Sequence, residues 1–112
     1  MSKGAKALLE IVQQLYPHQR IELEYNVANF GALFLDIYLP GLSLAFEFDG
    51  EQHFRYVKHF HGNRQGFLNA QKRDVDKDDM CKEKQIILIR VAYDEKMSKD
   101  LVLGKVEDAL NG

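Results

Sequence analysis

The spacing of apolar residues in the first quarter of the chain predicts a helix followed by a strand. Apolar side chains recur through residues 5–16 with the 3.6-residue period of an amphipathic helix, and Pro17 ends that pattern. Residues 20–27 then alternate apolar and polar positions, as a half-buried strand does. A turn is expected at residues 29–31, where the alternation stops.

Two further strands follow, over residues 33–40 and 42–49. The dipeptide Pro40-Gly41 stands between them, and this pair is a strong turn signal. We therefore predict that the two strands form a tight antiparallel hairpin.

The second half of the chain begins with a stretch that has no apolar period. Residues 51–66 are polar and aromatic, which predicts a long loop, and long loops in compact domains are usually functional. Good helix formers predict a helix over residues 67–84. Residues 86–93 are almost continuously apolar, as expected of a strand at the centre of its sheet. Ser98 is a candidate N-cap for a last helix.

The predicted order is αβββαβα, an α/β (α+β) fold with a mixed sheet flanked by helices. With 112 residues, 46% of them apolar, the chain has the size of one domain with one core. Cys81 is the sole cysteine, so we expect no disulfide and no cysteine-based zinc site. This cysteine usage fits an intracellular protein best. In addition, no apolar run is long enough for a membrane span, and the first residues lack a signal-peptide pattern.

Charge is distributed unevenly along the chain, although the net charge is only −2. Residues 53–73 hold no acidic residue, while the rest of the chain is acidic. Such a basic tract is typical of a surface that contacts an anion, and a solvated loop is the alternative interpretation. The basic residues of the tract are Arg55, Lys58, Arg64, Lys72 and Arg73.

Carboxylates occupy positions of the hairpin where apolar residues are expected. Asp36 interrupts the apolar strand LFLDIYL, and Glu47 and Asp49 share one face of the next strand. If the hairpin brings the three carboxylates together, their repulsion must be compensated by a cation or a proton, and such oxygen ligands suit Mg²⁺ or Mn²⁺. The alternative is an edge hairpin whose acidic side chains face water.

The following helix also carries polar residues on its predicted core face. At 100° per residue, one arc contains Phe67, Gln71, Asp74, Val75, Asp78 and Cys81. Asp74 is the preferred functional candidate of this set, with Gln71 a weaker one, whereas Asp78 can lie at the exposed end of the arc.

His53 follows the carboxylate strand, beside Gln52. A histidine oriented by a carboxylate such as Asp74 can activate a water nucleophile, whereas a lone histidine is usually structural. For His59 and His61 we expect contacts to phosphate rather than a zinc site.

Together these residues resemble the PD-(D/E)xK nuclease superfamily. The resemblance rests on Asp36, the run EFDGEQHF and the run QKRDVDKDDMCKEKQIILIRV, in that order along the chain. Within the superfamily, the chain looks most like very-short-patch-repair (Vsr-type) endonucleases and phage EDxHD homing endonucleases. The αβββαβ part of the predicted order agrees with the core of that superfamily.

The resemblance implies a role for each matching residue. Asp36 corresponds to the metal-binding aspartate, and Glu47 and Asp49 fall on the D/E-x-K strand, where either can be the second metal ligand. His53 matches the general base and Asp74 the aspartate that supports it. The lysine expected two residues after Glu47 is replaced by Asp49. Another residue must therefore supply the charge stabilisation and the base that this lysine provides in the family, and His53 is the candidate.

A second departure from the family pattern lies in the first helix. Ser2, Gly4, Leu8 and Val12 match the family's Ser-x-Gly-Glu start and the apolar positions after it, but Ala5 stands where the glutamate is expected. A natural loss and an engineered substitution both fit this alanine, and either reduces the expected activity.

The leading hypothesis is a Mg²⁺-dependent endonuclease of double-stranded DNA, in which Mn²⁺ can substitute. The basic tract would hold the DNA backbone, which contributes affinity but little sequence information. One small domain leaves little surface for reading bases, so we expect specificity from another domain of a longer protein or from a partner, and a dimer is compatible with this. The resemblance suggests a homing or mobile-element nuclease in a bacterial or phage-infected cell. The alternatives are a catalytically inert nucleic-acid-binding module, favoured by Ala5, and a structural domain that binds no nucleic acid.

Overall fold

Helix α1, Lys3–Leu15, forms where the apolar period predicts it. The computed structural model describes residues 1–27, 31 and 33–112. The Ser2 hydroxyl caps the helix by accepting a hydrogen bond from the Ala5 amide at 3.1 Å. Gly4 lies against the Phe48 ring, which the Cβ of any other residue would overlap. The glycine therefore permits the close packing of α1 on the sheet.

Three strands follow and pair in succession: β1 (Glu22–Asn26), β2 (Phe34–Leu39) and β3 (Leu44–Asp49). Both pairs are antiparallel, so the predicted hairpin is confirmed. A 3-10 turn, Pro40–Leu42, connects β2 to β3. The turn expected at residues 29–31 lies outside the described residues, apart from Gly31.

Strand β4, Ile87–Ala92, pairs parallel with β3 and gives the mixed sheet the order β1-β2-β3-β4. The prediction that this strand is central is wrong, because β4 ends the sheet formed by the described residues. Its continuous apolar run has another cause. Helices cover both of its faces, and Ile89 and Leu88 pack into apolar clusters on opposite sides.

The stretch predicted as a loop contains more regular structure than its sequence indicated. It holds a 3-10 turn, Glu51–His53, and a short helix α2, Lys58–His61. Helix α3, Arg64–Glu83, begins three residues before the predicted start because the Asn63 side chain accepts a hydrogen bond from the Gly66 amide at 2.8 Å. Helix α4, Lys99–Asn111, has the predicted Ser98 cap.

The helices cover the two faces of the sheet with different chemistry. Helices α1 and α4 bury a large apolar cluster against one face, which includes Leu8, Val12, Phe46, Val91 and Val102. Helix α3 covers the other face with a smaller cluster, which includes Ala45, Met80 and Cys81. The coarse prediction of an α+β fold with a mixed sheet flanked by helices is thus confirmed. Among the described residues, no helix is long and apolar enough to cross a membrane.

The predicted core face of α3 is only partly right. Cys81 is buried and Asp74 is half-buried, but Val75 is 57% exposed and Gln71 is also exposed. Met80 is buried in their place. The helix has few apolar residues, so its sequence defines the buried direction poorly, and contacts with the sheet determine it.

Candidate active site

The site begins where strands β2 and β3 part. Their ladder runs from Leu39↔Leu44 to Ile37↔Phe46 and stops before Asp36 and Glu47. At this point the two side chains satisfy main-chain amides of the opposite strand. Glu47 Oε2 accepts from the Asp36 amide at 2.7 Å, and Asp36 Oδ2 accepts from the Phe48 amide at 3.3 Å. The hairpin thereby fixes both carboxylates next to each other.

The proximity of these two carboxylates has an electrostatic cost. Glu47 is only 3% exposed. Burial, followed by the charge of Glu47, raises the pKa of Asp36 to about 7. Lys77 of α3 reaches Glu47 Oε1 and forms an ion pair with it. This pair of carboxylates is therefore partly neutralised by a cation from the chain itself.

Asp49, the third expected carboxylate, faces a different partner. Its Oδ1 accepts from Arg90 Nη1 at 2.9 Å, across the β3–β4 pair. Burial raises the pKa of Asp49, and the Arg90 and His53 charges offset only part of that rise. The structure thus brings Asp36 and Glu47 together, whereas Asp49 is held by Arg90.

His53 and Asp74 form the second functional pair. The 3-10 turn after β3 places His53 Nδ1 2.8 Å from Asp74 Oδ2 on α3. The hydrogen bond to Asp74 is the main cause of a raised His53 pKa. Burial alone would raise the pKa of Asp74, but the hydrogen bond and charge of His53, with the charges of Arg90 and Lys77, lower it overall. An ionised carboxylate only accepts, so Nδ1 carries the proton and Nε2 is free to act as a base.

His53, Asp74 and Asp36 line one cavity of about 460 Å³, whereas Glu47 is buried and is not part of its described lining. Leu33, Phe34 and Phe60 supply apolar wall, and the Phe60 side chain is 62% exposed. The polar lining includes Asp36, Gln52, His53, Arg73, Asp74 and Lys77. A cavity that combines a histidine–carboxylate pair, a second, half-buried carboxylate and two cations is a typical catalytic candidate.

The predicted basic residues lie at different distances from this cavity. Arg73 lines it directly. Two others are exposed and engaged in surface ion pairs: Lys72 with Asp76 at 2.9 Å, and Arg55 with Glu51. The remaining two, Lys58 and Arg64, are exposed near the start of α2 and α3.

The other residues considered from the sequence also differ in whether they line the cavity. Gln52 lines the cavity, whereas Gln71 is exposed and is not part of its described lining. His61 also lines it, and its Nδ1 accepts from the Val57 amide at 2.9 Å. Ala5 is buried, at 6% exposed, on the sheet-facing side of α1, outside the described lining of the cavity.

Three residues of the site were assigned no role from the sequence. Lys77 lies three residues after Asp74 and therefore near the same face of α3, which was the available signal. Arg90 interrupts an apolar strand, as Asp36 does. Glu24 lines the cavity from β1, where its φ of 46° interrupts the ladder opposite Asp36.

The chemistry of the carboxylates bears on metal binding. Among the described residues there is no group of three or more His, Cys, Asp or Glu side chains that could hold a metal ion. Mg²⁺, however, is often held by one or two carboxylates, with water and substrate phosphate completing its shell. The neighbouring carboxylates of Asp36 and Glu47, whose repulsion a cation would relieve, fit that smaller donor set.

Comparisons with known proteins find viral relatives. The chain is 43% identical over 68 residues to uncharacterized protein 307L of Invertebrate iridescent virus 6. The matched region covers 61% of this chain and 34% of that protein. The chain is 34% identical over 83 residues to uncharacterized protein 033L of Invertebrate iridescent virus 3, covering 74% and 43%. A third relative, uncharacterized protein 094L of Frog virus 3 (isolate Goorha), is 42% identical over 66 residues, covering 58% and 43%.

The matched regions therefore span between 34% and 43% of the length of these relatives. No family model matches the chain. No solved structure matches it significantly.

Proposed function

We propose that this chain is a Mg²⁺-dependent endonuclease domain that hydrolyses phosphodiester bonds of double-stranded DNA, with Mn²⁺ able to substitute. The observation that carries the proposal is one cavity lined by the His53–Asp74 pair, Asp36, Arg73 and Lys77. Glu47 lies buried behind Asp36 and accepts a hydrogen bond from its amide. The resemblance to PD-(D/E)xK nucleases, and to Vsr-type and EDxHD enzymes within them, supports the same assignment.

His53 is the proposed general base. Asp74 accepts the Nδ1 proton and holds the ring, so the Nε2 lone pair is available to take a proton from water. Asp74 also stabilises the imidazolium that forms when that proton is transferred. Asp74 raises the pKa of His53, which makes its neutral ring a stronger base.

Asp36 and Glu47 would hold the divalent cation. When bound, Mg²⁺ or Mn²⁺ neutralises charge on the scissile phosphate and stabilises the transition state. We assign this role to Glu47 rather than Asp49, because the Glu47 carboxylate contacts Asp36 directly, whereas the Asp49 carboxylate pairs with Arg90.

Lys77 supplies a fixed positive charge at the same place. Its side chain is 16% exposed, pairs with Glu47 and lines the cavity. The D/E-x-K pattern has a lysine at the position of Asp49, and Lys77 from α3 provides the positive charge that is missing there. The sequence alone favours His53 for that role, but the position of Lys77 makes it the better candidate for stabilising phosphate charge.

The DNA backbone would be held by the basic residues around the cavity, with Arg73 nearest the chemistry and Arg55, Lys58, Arg64 and Lys72 further out. Sequence specificity would come from another domain, a partner or a second copy. Because the relatives are virus proteins, we place the activity in an infected cell, and their viruses are named for invertebrates and a frog rather than for bacteria.

A second candidate function is a nucleic-acid-binding module without catalysis. Ala5 favours it, because the glutamate of the family pattern is absent there and the position is buried on the sheet-facing side of α1. This alternative predicts salt-dependent DNA binding that Mg²⁺ leaves unchanged, and no cleavage at any metal concentration.

Nicking of supercoiled plasmid with Mg²⁺, Mn²⁺ or EDTA separates the two candidates. The proposal predicts metal-dependent nicking that Asp36→Ala abolishes without unfolding the chain. Ala5→Glu is expected to increase the rate if the family acid is missing here. Retained nicking in Asp36→Ala would remove the metal assignment, and binding without nicking in every variant would establish the inert module.

A further inference from the structure

Arg90 connects the elements that carry the proposed base. It lies on β4, and its guanidinium contacts β3 and α3 at the same time. Nη1 donates to Asp49 Oδ1 at 2.9 Å, and Nε donates to Asp78 Oδ1 at 2.9 Å. Nη2 donates to the main-chain oxygen of Asp74 at 3.2 Å. The Arg90 side chain is 22% exposed, so these contacts are partly shielded from water.

His53 Nδ1 faces two carboxylates and can donate to only one. Asp74 Oδ2 lies 2.8 Å away, and Asp49 Oδ1 lies 3.7 Å away. The distance to Asp49 is too long for a hydrogen bond, but a small rotation of either side chain would shorten it. Since Arg90 donates to this same Asp49 oxygen, its positive charge makes the oxygen a weaker acceptor for the His53 proton.

We propose that Arg90 is a positioning residue for His53. By holding Asp49, it reserves the Nδ1 proton of His53 for Asp74 and keeps Nε2 directed to the cavity. The catalytic consequence rests on the proposed function. The hydrogen bond itself does not, and it can be observed without DNA or metal.

The contacts predict the effect of removing the guanidinium. In Arg90→Met the Asp49 carboxylate loses its cation and becomes a second acceptor for His53. Helix α3 also loses the contact to the Asp74 main chain. His53 then divides its Nδ1 proton between two carboxylates, and its ring is no longer held in one orientation.

The test is the tautomer of His53 by ¹⁵N NMR, with the His53→Ala spectrum identifying its signals among those of the four histidines. The wild type is expected to show one tautomer, protonated on Nδ1, with a hydrogen-bonded proton. Arg90→Met is expected to lose that single signature. If the nuclease proposal holds, it also nicks plasmid about tenfold to a hundredfold more slowly, the usual cost of losing a residue that orients a ligand or base.

Two further variants make the test specific. Asp78→Asn removes the negative charge of the outer partner of Arg90 and leaves the Asp49 contact, so the wild-type signature is expected. Arg90→Met/Asp49→Asn removes the competing charge together with the guanidinium, and is expected to restore the bond to Asp74. The double variant has no unpaired charge at either position, which makes it the informative protein if Arg90→Met does not fold.

An unchanged single tautomer in folded Arg90→Met overturns the proposal. So does loss of the Asp74 bond in the folded double variant, because Arg90 would then act by tethering the helix and not by occupying Asp49. These outcomes differ from failure of the nuclease proposal, which is seen as absence of nicking by the wild type whatever the spectra show.

Discussion

The two faces of the sheet are built from alternate residues of the same strands but differ in what they contain. On β3, Leu44 and Phe46 face α1 and α4 and belong to the large apolar cluster. Glu47 and Asp49 face α3, where each is buried with a cationic partner. Period-two alternation thus separates an apolar face from a polar one along six residues.

This difference separates stability from chemistry. Burial of carbon stabilises the first face, whereas a buried ion pair often stabilises a fold no better than apolar residues of the same volume. On the second face, burial and the charge of Glu47 disfavour the ionised form of Asp36 and raise its pKa to about 7. Polar groups kept at such a cost are expected where they serve a function. Substitutions on the two faces should therefore have different consequences.

The largest effect is expected from a substitution on the polar face, which should lower the activity and leave the stability nearly unchanged. His53→Ala should lower the rate of plasmid nicking by about 10² to 10⁴, the usual contribution of a general base. Its unfolding free energy should change by less than about 1 kcal/mol, since one partly exposed hydrogen bond is lost. His18→Ala, at an exposed position of the chain, is the matched control. A rate within a few-fold of wild type would make His53 a structural residue.

The next effect lies on the apolar face, in stability. Phe46→Ala should lower the unfolding free energy by about 3–5 kcal/mol, because Phe46 is fully buried and the substitution leaves a cavity. Denaturant unfolding measures this loss. Phe54→Ala is the control, since Phe54 is 54% exposed, and should cost less than about 1 kcal/mol. Equal losses in the two variants would mean that this face is not the main core.

A smaller effect on stability is expected at the ion pair between Lys77 and Glu47 on the polar face. Lys77→Met removes the cation beside Glu47 and should lower the unfolding free energy by about 1–3 kcal/mol in EDTA. Millimolar Mg²⁺ should restore more stability to this variant than it adds to the wild type, because it replaces the missing charge. Lys72→Met, an exposed position of the same helix, is the control. The absence of any Mg²⁺ effect on either protein would argue against a metal at Asp36 and Glu47.

The smallest effect concerns the rim of the cavity. Arg73→Ala should weaken DNA binding by about 1 kcal/mol or less, and should reduce the slope of log K against log salt by about 1. The reason is that Arg73 is exposed at the cavity and would neutralise one phosphate. Arg20→Ala serves as control, because Arg20 pairs with Glu22 instead. Identical salt slopes in these two variants would remove Arg73 from the DNA-binding surface.

The parts of the fold that depend on local pattern could be predicted. The period of α1, the turn between β2 and β3 and the Ser98 cap are encoded within a few residues of each other. Four site residues stood out in the same way, because Asp36, Glu47, His53 and Asp74 are polar groups next to apolar strands or on a helix face expected to be buried.

The parts of the fold and of the site that depend on contacts between distant residues could not be predicted from the sequence. Arg90 and Asp49 are 41 residues apart, so their pairing has no local signature. Lys77 is one of many charged residues on α3, and only its contact with Glu47 distinguishes it. The position of β4 was predicted wrongly for a related reason: an apolar strand indicates that both faces are covered, not which strands lie beside it.

The most direct test of the proposed metal site measures stability and cleavage together in Asp36→Asn. Asn retains an acceptor for the Phe48 amide but cannot ionise. In the wild type the folded-state pKa of Asp36, about 7, exceeds its ordinary value of 3.8. Proton binding thus contributes stability that is fully present below about pH 4 and is lost as the pH rises through 7.

At pH 8 without metal, the Asn variant should therefore be more stable than the wild type by about 1–2 kcal/mol after allowance for solvent screening, and the difference should shrink toward pH 4. The same variant should not nick plasmid in Mg²⁺. A more stable protein that has lost cleavage is the predicted result. Nicking at the wild-type rate, or a variant at pH 8 that is less stable than the wild type, would contradict a metal site built on Asp36.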